Sequence, residues 1–530
     1  MKKARVILSV ILAALLLLVG GMVWLLMNYH LVNFRLYDKT AQTVDLREEE
    51  ISVKHYDKLA EKMPDAEIYW NVPFQGGVVT NDTQELTITS LTEEDVLRLD
   101  YLENLKTVDA TQCTDYAQLA ALRERRPEVE VNYLVHISEV GFDQDANRVE
   151  LDSITPEEME LLQYLPELSQ VVVLGTENTQ NIDRLQSYCA DKGIEFCLSI
   201  SGEMIRDEAT AVTLTGVTDE ELNLLPFLTR MKELHIIDPA AAPETVFALQ
   251  ENLKGVDVTW EVTVAGIGVP HTQTEVDLTQ VEVTDLGEVE QKMAYLPDLV
   301  TVTFGVCGID EPKWGNSKSK LTASPIENED MAAYRDRVRE DYKVVWTLRL
   351  GPSIALRSDA DNFMPNHFGV GQLPDSYAYN LRYCEDMVCL DVGHMTLTDI
   401  SFVEFMPNLK YLILAWTEVQ YIEPIRTCKN LVFLELDNSC IRDLSPLVGC
   451  TALEDLNLGN TFCDVTPILE MTWLKNVYFI LGSKASAWKV SQAIPTAHVV
   501  ASGDATVGGG WRRLPNYYDM RDCLGMYYMN

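Results

Sequence analysis

The chain has 530 residues, of which 81 are Asp or Glu and 42 are Lys or Arg, so its formal net charge is −39. So acidic a chain repels nucleic-acid phosphates and anionic lipid headgroups, which argues against a nucleic-acid-binding function. Its eleven cysteines include no pair at the C-x-x-C spacing of a zinc or redox site.

The N-terminal segment predicts a membrane anchor. Lys2, Lys3 and Arg5 precede residues 6–27, an uncharged run that is long enough to cross a hydrocarbon core of about 30 Å. A cleaved signal peptide is the alternative, but its apolar core is usually shorter, about 7–15 residues. We therefore predict a single-pass, uncleaved anchor with residues 1–5 in the cytoplasm and the C-terminal part of the chain outside the cell.

A long repeat is predicted after a juxtamembrane stretch at residues 28–63, which has helical character at 46–62. The repeat occupies residues 64–305, and its strand signals recur every 63 or 64 residues. These signals are Leu86-Thr-Ile88, Val149-Glu-Leu151, Val212-Thr-Leu214 and Val276-Asp-Leu278. Each unit is expected to hold three strand-bearing turns of about 21 residues, as in a degenerate solenoid. A separate array of small α/β modules is the alternative.

Helix starts follow the first three strand signals. Each has a threonine at the N-cap position and an acid three residues later, the pattern of a capping box. The pairs are Thr92 with Asp95, Thr155 with Glu158, and Thr218 with Glu221. We therefore expect these acids to stabilise helix starts rather than to act in catalysis.

The repeat period is lost between the two halves of the chain. Residues 306–341 are rich in Gly, Pro, Lys and Ser and then in charge, which predicts an inserted loop or hinge. Residues 342–383 are expected to form a transition or cap.

A shorter repeat fills residues 384–500. Its template is L-x-x-L-x-L, with Leu409, Leu412 and Leu414 in one turn, and it returns after 22, 22 and 21 residues. A second column of small apolar side chains stands three residues before each template and is formed by Cys384, Met406, Cys428, Cys450 and Met471. The cysteines of this column are predicted to be buried small hydrophobes rather than disulfide partners.

The sequence LVFLELDNSCIRDLSPLVGC at residues 431–450 resembles the internalin-like leucine-rich repeats of bacterial surface proteins, whose units read roughly L-x-x-L-x-L-x-x-N-x-I-x-D-I-x-P-L. It departs at the asparagine position, which holds Met395, Thr417, Ser439 and Thr461. The resemblance implies an α/β fold, a curved right-handed leucine-rich-repeat solenoid with a parallel concave sheet. We expect two solenoid segments and one N-terminal transmembrane helix, but the resemblance names no ligand.

Motifs of catalysis are missing from the sequence. It contains no G-x-S-x-G, H-E-x-x-H or P-loop pattern, and we predict no catalytic residue, no metal and no cofactor. Asp359, Asp361 and Asn362 begin like a calcium loop but lack its glycine and distal glutamate, so we interpret them as a polar turn.

The repeats do predict a binding surface. Template positions three, five and seven should face the concave side of the sheet, where aromatic residues bordered by acids suit a protein partner. The predicted partner-binding residues are Asp391, Tyr411, Ile413, Trp416, Phe433, Glu435, Asp437, Asp455, Asn457 and Tyr478. The simpler interpretation is that such residues merely favour sheets.

The last segment, residues 501–530, reads as a linker followed by an aromatic C-terminal cap that docks back on the scaffold. An exposed partner-binding tail is the alternative. The preferred function is a membrane-anchored cell-surface protein that recognises a protein ligand through its repeats. The alternatives are a self-assembling structural or regulatory envelope component and an extracytoplasmic hydrolase with an unrecognised acid pair.

Overall fold

The computed structural model describes residues 2–175, 181–311, 313–316, 319–352, 354–368, 372–503 and 510–526. The chain divides into two units, Met1–Val258 and Thr259–Asn530. We describe each unit by itself.

The first unit begins with one long apolar helix, α1 (Lys2–Asn28). An 18-residue window within Arg5–Asn28 has a mean hydropathy of 2.9, and side chains along the helix are exposed, Leu17 by 78%. By length and composition such a helix can cross a membrane, a test that a signal sequence also passes.

Repeating groups of short parallel strands and helices make up the remainder of the first unit. An incomplete group comes first, with β1 (Tyr29–Val32), β2 (Arg35–Asp38), β3 (Thr43–Asp45), α2 (Val53–Lys62), β4 (Glu67–Tyr69), β5 (Asn71–Phe74) and β6 (Gly77–Thr80). The next group contains β7 (Glu85–Thr87), α3 (Glu93–Arg98), β8 (Thr107–Asp109), α4 (Tyr116–Arg125), β9 (Glu130–Asn132), β10 (Leu134–Ile137) and β11 (Val140–Asp143). After it come β12 (Arg148–Leu151), α5 (Pro156–Met159), β13 (Gln170–Val173), α6 (Ile182–Lys192), β14 (Glu195–Ile200) and β15 (Glu203–Arg206), then β16 (Ala211–Thr215), α7 (Asp219–Leu222), β17 (Glu233–Ile237) and α8 (Pro243–Asn252).

An antiparallel hairpin follows each of the first three sets of parallel strands. The parallel sets are β3–β4, β7–β8–β9, β12–β13–β14 and β16–β17, and the hairpins are β5–β6, β10–β11 and β14–β15. Both turn residues of each hairpin have positive φ, as Ser138 (48°) and Glu139 (67°) do, which gives the tight turn that matches strand twist. The strands lie where the periodicity predicts them, and the parallel sets form separate sheets.

The predicted capping boxes are confirmed in all three helices. Two of the acids also hold the preceding hairpin. The backbone N–H of Ser138 donates to Glu158 Oε1 over 2.7 Å, and that of Ser201 donates to Glu221 Oε1 over the same distance. Because Thr155 and Thr218 complete the boxes, one carboxylate joins a helix start to a turn 20 residues earlier in the chain.

The second unit opens with strands β18 (Asp257–Val264), which begins just before the boundary, β19 (Ile267–Pro270) and β20 (Glu275–Leu278), followed by α9 (Leu286–Met293) and β21 (Thr301–Cys307). Next come β22 (Lys313–Asn316), β23 (Ser319–Ser324), α10 (Asn328–Val338), β24 (Lys343–Arg349) and β25 (Ala355–Arg357). Strands β20 to β25 form one sheet in the order β22–β23–β21–β24–β25, with β20 also paired with β21.

The expectation of a loop or hinge at residues 306–341 is wrong for the described part of that segment. It holds the β22–β23 hairpin and α10, whose Met331 and Tyr334 are fully buried. The hairpin is inserted between the second strand and the second helix of a repeat, and this insertion breaks the sequence period.

The remainder of this unit is a regular coil whose parallel strands lie side by side in the order of the sequence. Its elements are β26 (Asn362–Phe363), α11 (Asp375–Ala378), β27 (Cys389–Asp391), β28 (Tyr411–Ile413), β29 (Phe433–Glu435), β30 (Asp455–Asn457), β31 (Asn476–Tyr478), α12 (Lys484–Ala493) and β32 (His498–Val500). Template leucines such as Leu412 and Leu414 are fully buried. The return path is made of short 3-10 helices, Ser401–Phe405, Glu423–Thr427, Ser445–Gly449 and Thr466–Glu470. The solenoid predicted for residues 384–500 is confirmed.

Hydroxyl groups replace part of the hydrogen bonding at the asparagine position of the repeat. Thr417 Oγ1 donates to the Leu414 carbonyl over 2.8 Å, and Thr461 Oγ1 donates to the Leu436 carbonyl of the previous turn over 2.6 Å. The cysteine column is fully buried, and burial raises the pKa of Cys384 and Cys428 to about 12. These cysteines are free thiols, as predicted.

Candidate functional site

The parallel strands of the solenoid align the predicted partner-binding residues in two columns. The first column contains Cys389, Tyr411, Phe433, Asp455 and Asn476. The second contains Asp391, Ile413, Glu435, Asn457 and Tyr478. We call the side of β27–β31 that carries both columns the concave face.

The concave face is covered by the C-terminal tail, which we define as the 3-10 helix Trp511–Arg513 and helix α13 (Pro515–Cys523). Trp511 and Met520 are buried in one apolar cluster with residues of both columns. The other buried members of that cluster are Cys389, Ile413, Ala415, Phe433, Tyr478 and Ile480. The aromatic tail packs on the repeats, and it lies across the strands rather than over an end of the coil.

Trp511 makes the central contact of the tail. Its indole is fully buried, with its ring centroid 4.5 Å from Phe433 and 5.1 Å from Tyr478. Its Nε1–H donates to Glu435 Oε2 over 2.7 Å. The indole thus fills an aromatic pocket and satisfies its one donor on an acid of the second column, as buried tryptophans usually do.

Asn516 makes the second polar contact. Its Nδ2 donates to Asp455 Oδ2 over 3.0 Å, while Asn476 Nδ2 donates to Asp455 Oδ1 over 2.7 Å. Both oxygens of a buried carboxylate therefore accept hydrogen bonds, one of them from the tail. The concave face recognises its own tail through directed bonds as well as apolar packing.

Burial changes the acidity of the carboxyl groups under the tail. It raises the pKa of Glu435 to about 7, with help from the charges of Asp391 and Asp437 and against the Trp511 hydrogen bond and Arg512. Burial also raises the pKa of Asp391 to about 6, and it raises that of Asp455. The acids of this face are therefore costly to ionise while the tail is docked.

The predicted site residues differ in exposure. Ile413, Phe433, Asp455, Asn457 and Tyr478 are buried, and Asp391, Tyr411, Glu435 and Asp437 are half-buried. Trp416, at the edge of the face, is 55% exposed and stacks on His394 with ring centroids 5.8 Å apart. The sequence places these residues on one face but does not reveal that Trp511 and Asn516 complete the site.

Within the described ranges, no group of three or more His, Cys, Asp or Glu side chains is arranged to hold a metal ion.

The geometry of the repeats identifies the fold. One strand per 21 or 22 residues, a parallel sheet in sequential order and a buried leucine template define the repeat. The chain has a leucine-rich-repeat fold.

Solved structures that match this chain include two internalins. Internalin C2 of Listeria monocytogenes is 14% identical, and the match covers 45% of this chain and 87% of that one, with a TM-score of 0.20. An internalin, inlF, of the same species is 11% identical over 80% of this chain and 83% of that one, with a TM-score of 0.21. A leucine-rich-repeat protein of Leptospira interrogans is 12% identical over 78% of this chain and 93% of that one, with a TM-score of 0.24. The repeat geometry establishes the fold without these matches.

No protein-family model matches the chain, and no curated protein matches it.

Proposed function

We propose that this leucine-rich-repeat protein is a membrane-anchored recognition protein of the cell surface that binds a protein ligand on its concave face. One observation carries the proposal. The face already binds a peptide segment, the C-terminal tail, through an aromatic pocket and two directed hydrogen bonds. A surface that holds one peptide in this way has the chemistry to hold another.

The bonding pattern of the tail indicates which ligands suit the face. Glu435 and Asp455 both accept hydrogen bonds from the tail, and Phe433 and Tyr478 enclose its indole. A ligand should therefore present an aromatic side chain with a donor group, next to an amide or a cation. A strongly acidic ligand would be repelled by Asp391 and Asp437, which lie beside Glu435.

Location at the cell surface follows from the anchor hypothesis. Helix α1 is long and apolar enough to cross a membrane, and the basic residues before it favour a cytoplasmic N-terminus. The concave face would then be presented outside the cell.

Site-specific crosslinking in cells tests the proposal. A photoreactive amino acid is placed at position 416, at the edge of the concave face, and for comparison at position 488, where Trp488 of α12 is 65% exposed. Both photoreactive variants are made in the full chain together with Trp511→Ala, a replacement that uncovers the concave face. We expect a protein adduct from position 416 and none from position 488.

The adduct must also depend on the face. Replacement of Tyr411, Phe433 and Glu435 together by alanine should abolish the adduct while the far-ultraviolet circular dichroism stays unchanged. An adduct that survives this triple replacement would refute ligand binding on the concave face. An adduct with a second copy of the chain would instead support the self-assembling envelope component.

A further inference from the structure

Two cysteines belong to the apolar cluster where the tail meets the concave face. Cys389 lies at the start of β27, is fully buried beneath α13, and its thiol contacts the Met520 carbonyl with Sγ 3.9 Å from the oxygen. Cys523 is the last residue of α13 and is half-buried in the same apolar cluster. Both are free thiols, and they lie on the two elements whose contact keeps the face covered.

The two thiols affect each other's acidity. A hydrogen bond from the Cys389 thiol lowers the pKa of Cys523, and Lys410 acts in the same direction, whereas burial and Asp361 oppose it. The same bond and burial raise the pKa of Cys389. Cys523 is thus the more exposed and the more easily ionised thiol, which suits a first nucleophile, and Cys389 is placed to resolve its product.

We propose that Cys389 and Cys523 form a disulfide site that locks the C-terminal tail onto the concave face, with a small-molecule disulfide as oxidant. The Cys523 thiolate attacks one sulfur of the oxidant, forms a mixed disulfide and releases one thiolate. Cys389 then loses its proton, attacks the Cys523 sulfur and releases the second thiolate. Two protein thiols have lost two protons and two electrons, and the oxidant has gained the electrons.

The environment of the other cysteines does not favour this reaction. Cys384, Cys428 and Cys450 are fully buried in the repeat core, and their thiols contact backbone carbonyls at 3.8, 3.7 and 3.5 Å. Burial raises the pKa of each of these thiols. A thiol that stays protonated and inaccessible is a poor first nucleophile, the part that Cys523 takes in the proposed site.

The effect of this disulfide on ligand binding rests on the proposed function. The tail covers the face that would bind the ligand, so the oxidised chain should be closed to ligand and the reduced chain should be able to open. Oxidising conditions prevail outside cells, where disulfides persist.

Peptide mapping of the full chain in detergent micelles tests the site. The reduced protein is incubated with glutathione disulfide, the remaining thiols are alkylated, and protease fragments are analysed by mass spectrometry. We expect a fragment that joins Cys389 to Cys523, and we expect glutathione to accumulate on Cys523 when Cys389 is replaced by serine. A serine at position 523 should abolish both products without disturbing the repeats, because it lies in the tail.

Three results would overturn the proposal. They are no linkage between Cys389 and Cys523, glutathione retained on Cys523 of the unaltered chain, and equal yield of a bond between Cys440 and Cys463. The last pair is the matched control, because Cys440 is exposed and Cys463 is half-buried on the neighbouring turn. The test needs no ligand, so its outcome is independent of whether the crosslinking experiment finds one.

Discussion

Five residues that follow strands of the solenoid have left-handed backbone conformations although they are not glycines. They are His394, Trp416, Asn438, Asn460 and Leu481, with φ of 63°, 59°, 52°, 45° and 59°. This conformation lets the backbone N–H of each turn continue the ladder, as Trp416 N–H does to the Asp437 carbonyl over 2.9 Å. It costs about 1–2 kcal/mol for most side chains and less for asparagine.

Trp416→Asn should therefore raise the free energy of unfolding of the solenoid by about 0.5–1 kcal/mol. Asparagine tolerates the conformation and already occupies the equivalent positions 438 and 460. The side chain it replaces is 55% exposed, and the loss of its stacking on His394 keeps the expected gain small. Urea unfolding followed by circular dichroism measures the change. Asn438→Ala is the converse variant and should lower stability.

Glu158 should stabilise the junction of a helix start and a hairpin. Glu158→Ala removes its bonds from the backbone N–H groups of Thr155 and Ser138, and we expect a loss of about 2 kcal/mol in local opening free energy. Hydrogen exchange of residues 134–160 measures that loss. Glu157→Ala, an exposed acid of the same turn, should leave exchange unchanged.

The same carboxylate should make this junction sensitive to acid. Burial opposes its ionisation, but the hydrogen bonds from Thr155 and Ser138 outweigh burial and lower the pKa of Glu158. A lowered pKa in the fold means that the stabilisation is complete above the unfolded value of about 4.3 and disappears as the pH falls through the folded value. The difference in local opening free energy between the Glu158→Ala variant and the unaltered chain should therefore become smaller in acid.

At the scale of elements, the tail is held mainly by one side chain. Trp511→Ala empties the pocket between Phe433 and Tyr478 and leaves Glu435 without the indole donor. We expect about 3–5 kcal/mol of docking free energy to be lost, as for other buried tryptophans. Limited trypsin digestion should then cut after Arg512, Arg513 and Arg521 far faster. Trp488→Ala, on exposed α12, is the control and should not change the rate.

Docking of the tail should also depend on pH. The pKa of Glu435 is about 7 in the docked state and should return towards the ordinary value of about 4.3 when the tail leaves. The docked state then binds the proton more tightly, so docking is strongest below about pH 4, weakens as the pH rises towards 7 and levels off above it. Asp391, whose pKa burial raises to about 6, acts with the same sign.

Glu435→Gln isolates this effect. Glutamine can still accept the bond from Trp511 Nε1–H but carries no charge to bury. We expect the protection of the tail's backbone amides from hydrogen exchange at pH 8 to rise about tenfold or more. The pH dependence of this protection should shrink to the part due to Asp391. Hydrogen exchange corrected for intrinsic rates measures both. Equal protection at pH 5 and pH 8 in the unaltered chain would contradict the assignment to Glu435.

At the scale of the whole molecule, the sequence period predicted the features that each repeat forms with its immediate neighbours. The leucine template, the capping boxes and the buried cysteine column follow from spacing, because each repeat meets the same neighbours. The hairpins were missed because their turns, such as Ala265–Gly266, are two residues long and vary in sequence. The tail position was missed because contacts such as that between Trp511 and Glu435 join residues 76 apart in the chain, which no period encodes.

Retention in the membrane is the prediction that involves the entire chain. If α1 is an uncleaved anchor, the membrane fraction should contain protein of the full-length mass that resists carbonate extraction. Replacing both Leu15 and Leu16 by arginine should release the chain, because a charge at the centre of a membrane helix costs about 2.5–3.5 kcal/mol. The paired replacement of Leu15 and Leu16 by valine is the control and should be retained. A membrane-free product that lacks the first helix would identify a cleaved signal peptide instead.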